Sequence, residues 1–278
     1  MEKREIPIVV LSDLHLGTYG CRAKELSDYL KSIRPERLIL NGDIIDIWQF
    51  RKRYFPKSHL KVLKQILAMA SKGTKVYYLT GNHDEALRRF SDFRMGNIAL
   101  LDKLVLELPD GKAWFFHGDI FDHSIQKAKW LAKLGGWGYD LLIRFNSLVN
   151  WTLEKMGKER YSFSKAIKSS VKRAVSYINS FETVASELAI EQGFSYVVCG
   201  HIHQPQKRLI ENQKGVCWYL NSGDWIENLS ALEFDGKKWE LYQYEKDLIN
   251  STEEENLIEE LNLKSLIAKV TEKQSELA

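Results

Sequence analysis

Six short apolar runs punctuate the chain, and each stops at a small polar cluster. IPIVVL is followed by Ser12-Asp13-Leu14-His15, RLIL by Asn41-Gly42-Asp43, and KVYYLT by Gly81-Asn82-His83-Asp84. AWFF is followed by His117-Gly118-Asp119, YVVC by Gly200-His201-Ile202-His203, and CWYL by Asn221-Ser222-Gly223-Asp224. Four to six residues rich in Val, Ile and aromatics predict buried strands. Between the first three runs the apolar period lengthens. Leu26, Tyr29, Leu30 and Ile33 fall on one helical face, as do Leu60, Leu63, Ile66, Leu67 and Ala70 before Gly73. Strand–helix–strand alternation predicts an α/β fold whose sheet begins with parallel strands. The turn Leu108-Pro109-Asp110-Gly111 adds an antiparallel element.

The pattern changes after residue 120. Trp130 to Met156 reads as an amphipathic helix interrupted at Gly135-Gly136-Trp137-Gly138. Ile167, Val171, Val175, Ile178, Phe181, Ala185 and Leu188 predict a long helix over 164–191. The expected organisation is a core over 1–120 and 193–245, a helical insertion or cap over 121–192, and a C-terminal helical tail over 246–278.

With 278 residues, 44% hydrophobic and 28% charged, the chain is neither disordered, fibrous nor a disulfide miniprotein. No apolar run approaches the roughly 18 residues of a spanning helix, and the first is too short for a signal peptide. The expected location is the cytoplasm, with Cys21, Cys199 and Cys217 as free thiols. The net charge of +3 is uneven: residues 124–178 carry +8 and the remainder −5. Trp130, Trp137 and Trp151 lie in this basic tract. An anionic partner accounts for it as well as a solvated helix face with tryptophans in the core does, and basic helices with tryptophans also suit a membrane surface. No nucleic-acid module accompanies it, so no nucleic acid is expected. Phosphate-loop, dinucleotide-binding and nucleophile-elbow motifs are absent from the sequence.

The polar clusters carry the chemistry. Ligands of open α/β sheets sit outside the carboxyl ends of strands, so clusters at those ends can converge. Five of seven histidines stand there: His15, His83, His117, His201 and His203; His59 and His123 do not. Asp13 with His15, and His201 with His203, are spaced two apart and can grip one ion. Asp43, Asn82 and His117 add three more groups. Seven N/O ligands exceed the four of one tetrahedral ion and suit two ions that share a carboxylate. Such ligation without thiolate predicts Mn²⁺ first, then Fe or Zn²⁺, rather than Ca²⁺. Paired ions of this kind clamp a phosphoryl group and activate water.

The ordered set Asp13-Leu14-His15, Gly42-Asp43, Gly81-Asn82-His83-Asp84, His117-Gly118-Asp119 and Gly200-His201-Ile202-His203 resembles the calcineurin-like metallophosphoesterase superfamily, over residues 6–234. The resemblance implies a β-sandwich flanked by helices. It implies one metal on Asp13, His15, Asp43 and His203, and a second on Asp43, Asn82, His117 and His201, with Asp43 bridging. It also implies that His83 touches the phosphate and assists the leaving group, and that Asp46 orients His83. The opening LSDLHLG, the helical insertion and Ser222-Gly223-Asp224-Trp225 are similar to the UDP-2,3-diacylglucosamine hydrolases of lipid A synthesis and their paralogues. The best-known of these carry Arg where His83 stands and a longer Asp-containing stretch after the His-Gly-Asp motif, which places this chain with the paralogue branch.

The expected activity is therefore hydrolysis of a phosphodiester or pyrophosphate bond, with a lipid-linked nucleotide sugar as expected substrate and peripheral attachment to the inner face of the cytoplasmic membrane. Three alternatives stand beside it: another small phosphodiester or phosphomonoester as substrate, a non-catalytic scaffold of the same fold, and a membrane-surface module with structural metals. Asp84, Asp119 and Asp224 are candidates to hold the ligating histidines, or are turn residues at strand ends.

Overall fold

The computed structural model describes residues 3–47, 54–124 and 181–244. Within them two sheets stack face to face. The first contains β1 (Arg4–Leu11), β2 (Ile33–Asn41), β3 (Lys75–Leu79), β4 (Arg94–Met95), β5 (Ile98–Leu101), β11 (Ser230–Phe234) and β12 (Trp239–Gln243), in the order β12-β11-β1-β2-β3-β5-β4. The second contains β6 (Lys103–Leu108), β7 (Gly111–Phe116), β8 (Tyr196–Cys199), β9 (Gln206–Asn212) and β10 (Gly215–Asn221), in the order β6-β7-β8-β10-β9. The expected parallel start is present: β1, β2, β3 and β5 pair in parallel. The turn at 108–111 joins β6 and β7 antiparallel. β7, β8 and β10 then run parallel as well.

Alternation along each strand builds the layers, because successive side chains point to opposite faces. In β1, Ile8 and Val10 face the second sheet, while Val9 and Leu11 face α1 (Ala23–Ser32) and α2 (Lys57–Ser71). Ala113 and Phe115 of β7 and Tyr196 and Val198 of β8 meet Ile8, Val10, Ile39 and Leu232 in the central layer. Their neighbours Trp114, Phe116, Val197 and Cys199 point outward to a helix over 181–191 (α3), through Phe181, Ala185 and Ala189. The order is helix, sheet, sheet, helix: the expected sandwich flanked by helices. All three cysteines are free and buried.

The buried face of α2 differs from the expected stripe. His59, Val62, Ile66, Met69 and Ala70 are buried, whereas Leu60 and Leu67 are 45% and 51% exposed. At about 100° per residue, Leu60 and Leu67 lie roughly 120–140° round the helix from the face centred on Val62 and Ile66. A run with leucines on two faces left the choice to packing, which selected the face carrying His59.

Residues 125–180 and 245–278 lie outside the described residues. With them lie nearly all of the expected insertion, its basic tract and tryptophans, and the C-terminal tail. The last turns of the 121–192 segment, 181–191, are helical and cover the second sheet. Among the described residues no helix is long and apolar enough to cross a membrane.

Candidate metal centre

The carboxyl ends of β1, β2, β3, β7 and β8 reach one edge of the sandwich, and the chain turns sharply there. Seven described non-glycine residues have positive φ, and five of them are Asp13, His15, Asp43, His201 and His203. This left-handed region is costly for residues with a Cβ and persists where surrounding structure imposes it, commonly at functional sites. Asp13 and His201 lock each other through His201 N–H donating to Asp13 Oδ2 at 3.0 Å, and His83 N–H donates to Asp43 Oδ1 at 2.8 Å. The glycines of the motifs make room for these contacts. A Cβ on Gly42 would meet His117 Nδ1 at 2.3 Å, and one on Gly81 would meet Asp43 Oδ1 at 2.3 Å.

The structure brings the expected groups together. Asp13, His15 and His203 form one cluster, and Asp43, His117 and His201 a second; His15, Asp43 and His83 lie between them, with ligand atoms within 4.8 Å in each. His203 Nε2 is 3.2 Å from Asp13 Oδ1 and 3.3 Å from His15 Nε2. Asp43 Oδ2 is 3.3 Å from His117 Nε2, 3.9 Å from His83 Nε2 and 4.0 Å from His15 Nε2. Two ligands bound at about 2.1 Å to one ion stand about 3–3.4 Å apart, so the shorter separations suit shared coordination. The donor set fits a second way. Asp13 Oδ1, Asn82 Oδ1 and His117 Nε2 are buried and make no hydrogen bond, and buried acceptors without donors are rare unless an ion or water serves them. His117 Nδ1 faces Asn41 O at 2.9 Å. A proton on Nδ1 completes that bond and leaves the Nε2 lone pair toward Asp43.

Electrostatics agree. Burial opposes ionisation of Asp13 and Asp43, but nearby imidazoles outweigh it: His203 and His117 for Asp13, and His117, His83 and His15 for Asp43. Both carboxyls are held below the usual carboxylate range. Burial would likewise keep His117 neutral, yet Asp43 and Asp13 push it up to about 10, and Asp13 pushes His203 up to about 8. The carboxylates demand positive charge, which protons or divalent cations can supply.

Asp46 stands behind the centre, its Oδ2 3.1 Å from His83 Nδ1 and 3.9 Å from His15 Nδ1. The other three aspartates behave differently from one another. Asp84 holds no histidine; it accepts from Gly81 N–H, Ile44 N–H and Tyr78 O–H, fastening the β2 and β3 ends together. Asp119 pairs with Arg88 Nη2 at 2.9 Å. Asp224 accepts from the N–H groups of Ile226 and Glu227 and lies 3.8 Å from His203 Nδ1. Sequence reading did not find Asn41, whose Nδ2 ties β2 to Phe116 O and Val198 O across the sheets, nor Arg88. Asn41 carried a signal, a polar residue closing a buried strand; Arg88 carried none.

A two-sheet sandwich with Asp/His clusters at the shared carboxyl edge defines a metal-dependent phosphoesterase. The calcineurin-like phosphoesterase family profile matches residues 6–205, and the chain belongs to that family. It is 25% identical over 244 residues to the UDP-2,3-diacylglucosamine hydrolase of Aliivibrio fischeri, covering 86% of this chain and 98% of that one. The enzyme of the same name from Blochmanniella pennsylvanica is 24% identical over 246 residues, covering 83% and 92%. An archaeal phosphodiesterase of known structure aligns at 13% identity with a TM-score of 0.39, over 85% of this chain and 98% of that one.

Proposed function

We propose that this phosphoesterase works with two divalent ions, Mn²⁺ before Fe or Zn²⁺, and hydrolyses a phosphodiester or pyrophosphate bond in a lipid-linked nucleotide sugar like UDP-2,3-diacylglucosamine. The observation that carries the reading is the place of Asp43, whose Oδ2 faces His117 on one side and His15 and His83 on the other. Asp13, His15, Asp43 and His203 would hold one ion, and Asp43, Asn82, His117 and His201 the other. Bound there, the ions supply phosphoryl charge neutralisation and water activation.

The chain's own residues supply the rest. His83 reaches the same space through Nε2 and donates a proton or hydrogen bond to the leaving oxygen. Its Nδ1 is held by Asp46, which fixes the ring and supports its protonated form; burial opposes that form, but Asp46 and Asp43 raise the group above its ordinary value. Names of the relatives support a substrate of the lipid A pathway. The basic tract over 124–178 and its apolar positions fit phosphates and acyl chains at the inner membrane surface. A second reading, another small phosphodiester, is favoured by His83 at the position where the best-known members carry Arg.

The test is metal analysis of Mn²⁺-reconstituted protein, followed by a panel of an aryl phosphodiester, acylated and deacylated nucleotide sugars, dinucleotides and phosphomonoesters. Turnover that rises with acyl length supports the lipid substrate. Equal turnover of acylated and deacylated forms removes it, and no turnover of any compound leaves a scaffold.

A further inference from the structure

Beside the centre lies a cavity of about 160 Å³ lined by Arg88, Asp102, Phe116, His117 and Ile120, with Asp119 between them. Nothing in the proposed chemistry uses it. Its polar groups form one frame. Arg88 Nη2 donates to Asp119 Oδ2 at 2.9 Å, and Arg88 Nε donates to Thr80 Oγ1 at 3.3 Å and stands 3.5 Å from Asp102 Oδ1. Thr80 Oγ1–H donates to Asp102 Oδ1 at 2.8 Å. Among the described residues, Arg88 Nη1, Asp119 Oδ1 and Asp102 Oδ2 make no hydrogen bond. His117 also lines the cavity, fully buried, with its Nε2 unpartnered and facing Asp43.

The charges select the ligand class. Two carboxylates against one guanidinium repel a further phosphate. Both carboxylates are already paired with Arg88, which weakens their hold on a free cation. What remains favourable is a neutral group that accepts from Arg88 and donates to Asp119 and Asp102, which is the behaviour of vicinal hydroxyls. Phe116 and Ile120 add an apolar wall for the C–H face of a ring, the usual mix of an apolar lining and a few placed polar groups. Since His117 borders both the cavity and the centre, a sugar one or two bonds from a phosphate at the metals reaches it. We infer that Arg88, Asp102 and Asp119 form a subsite for the vicinal diol of a sugar attached to the reacting phosphate. This rests on the phosphoesterase reading above and deepens it; the sugar is either a nucleotide's ribose or a hexose with adjacent hydroxyls free, and in a substrate like UDP-2,3-diacylglucosamine, whose hexose is acylated at positions 2 and 3, it is the ribose.

The experiment is equilibrium binding to the Mn²⁺-loaded protein, read by calorimetry, with inorganic phosphate, methyl phosphate, ribose 5-phosphate and glucose 1-phosphate as probes. The subsite predicts that at least one sugar phosphate binds about tenfold or more tightly than methyl phosphate. Which one identifies the source. Arg88→Met should erase that advantage. Asp102→Asn, at a side chain 48% exposed and so tolerant of change, should reduce it even if Arg88→Met fails to fold. Sugar phosphates that bind no tighter than methyl phosphate overturn the inference. So does an advantage that survives Asp102→Asn together with a folded Arg88→Met. If inorganic and methyl phosphate also fail to bind, the phosphoesterase reading falls with it.

Discussion

Nδ1 of His83 lies 3.1 Å from Oδ2 of Asp46, so the imidazole is held from behind while Nε2 faces the centre at 3.9 Å from Asp43 Oδ2. In the proposed reaction His83 would be a proton donor backed by a carboxylate. His83→Ala is expected to lower kcat by about 10²–10⁴-fold with metal content unchanged. Asp46→Asn keeps the shape but loses the charge, and should lower kcat by about 10–100-fold. Steady-state kinetics beside metal analysis checks both. A His83→Ala protein that has lost an ion would place His83 among the ligands.

Asp43 is 2% exposed and faces histidines from three strand ends. If it bridges, its removal disconnects both clusters. Asp43→Ala is expected to lose both ions after reconstitution, whereas His203→Ala, at a side chain 38% exposed on the rim, should lose only one. Elemental analysis after gel filtration decides; one ion retained by Asp43→Ala would mean the clusters bind independently.

The strands and their polar ends were legible because both are local signals. Buried parallel strands are continuous apolar runs, and ligands must follow their last residue. Thus Asp13, His15, Asp43, His117, His201 and His203 could be read together from sequence, and the structure brings them to one edge. The register of α2 was not legible, since Leu60, Leu63 and Leu67 offer a second apolar face and only packing against β1 and α1 chooses. Arg88 was invisible for a similar reason. Its partners Asp102 and Asp119 come from other segments, and no period or motif links residues joined only by the closing of two sheets. Asp84 was read two ways, as a partner of a ligating histidine or as a turn residue at a strand end, and the second describes it: its carboxylate serves backbone N–H groups.

That task gives a stability prediction. Asp84 is fully buried, and its carboxyl is pushed up by burial. Tyr78 O–H donates to its Oδ2 at 2.6 Å. Tyr78→Phe removes a donor from a buried carboxylate at no cost in volume, and the expected loss is about 1–3 kcal/mol. Urea unfolding should show the midpoint fall with the slope unchanged. Unaltered stability would mean that the two N–H bonds suffice.

The last prediction concerns pH and His59, away from the ligands. His59 is 3% exposed and accepts a hydrogen bond at Nδ1 from Gly17 N–H at 2.9 Å, tying α2 to the loop that follows His15. The rings of Tyr54 and Phe55 lie 6.0 and 5.8 Å away, and burial holds the imidazole below its ordinary value. Protonation at Nδ1 would break the Gly17 bond and bury a charge. Above about pH 6.5 the residue is neutral in both folded and unfolded chains, and its stabilisation is complete. As pH falls below that value the unfolded chain binds a proton that the native chain refuses, so stability declines down to the folded pKa. Asn at 59 places an amide oxygen near the position of Nδ1 and does not titrate. The wild type should therefore lose stability relative to His59→Asn between about pH 7 and pH 5, with the two curves parallel above about pH 7. Chemical unfolding of both proteins across that range makes the comparison. A difference that stays constant with pH would show that His59 is not the group that refuses the proton.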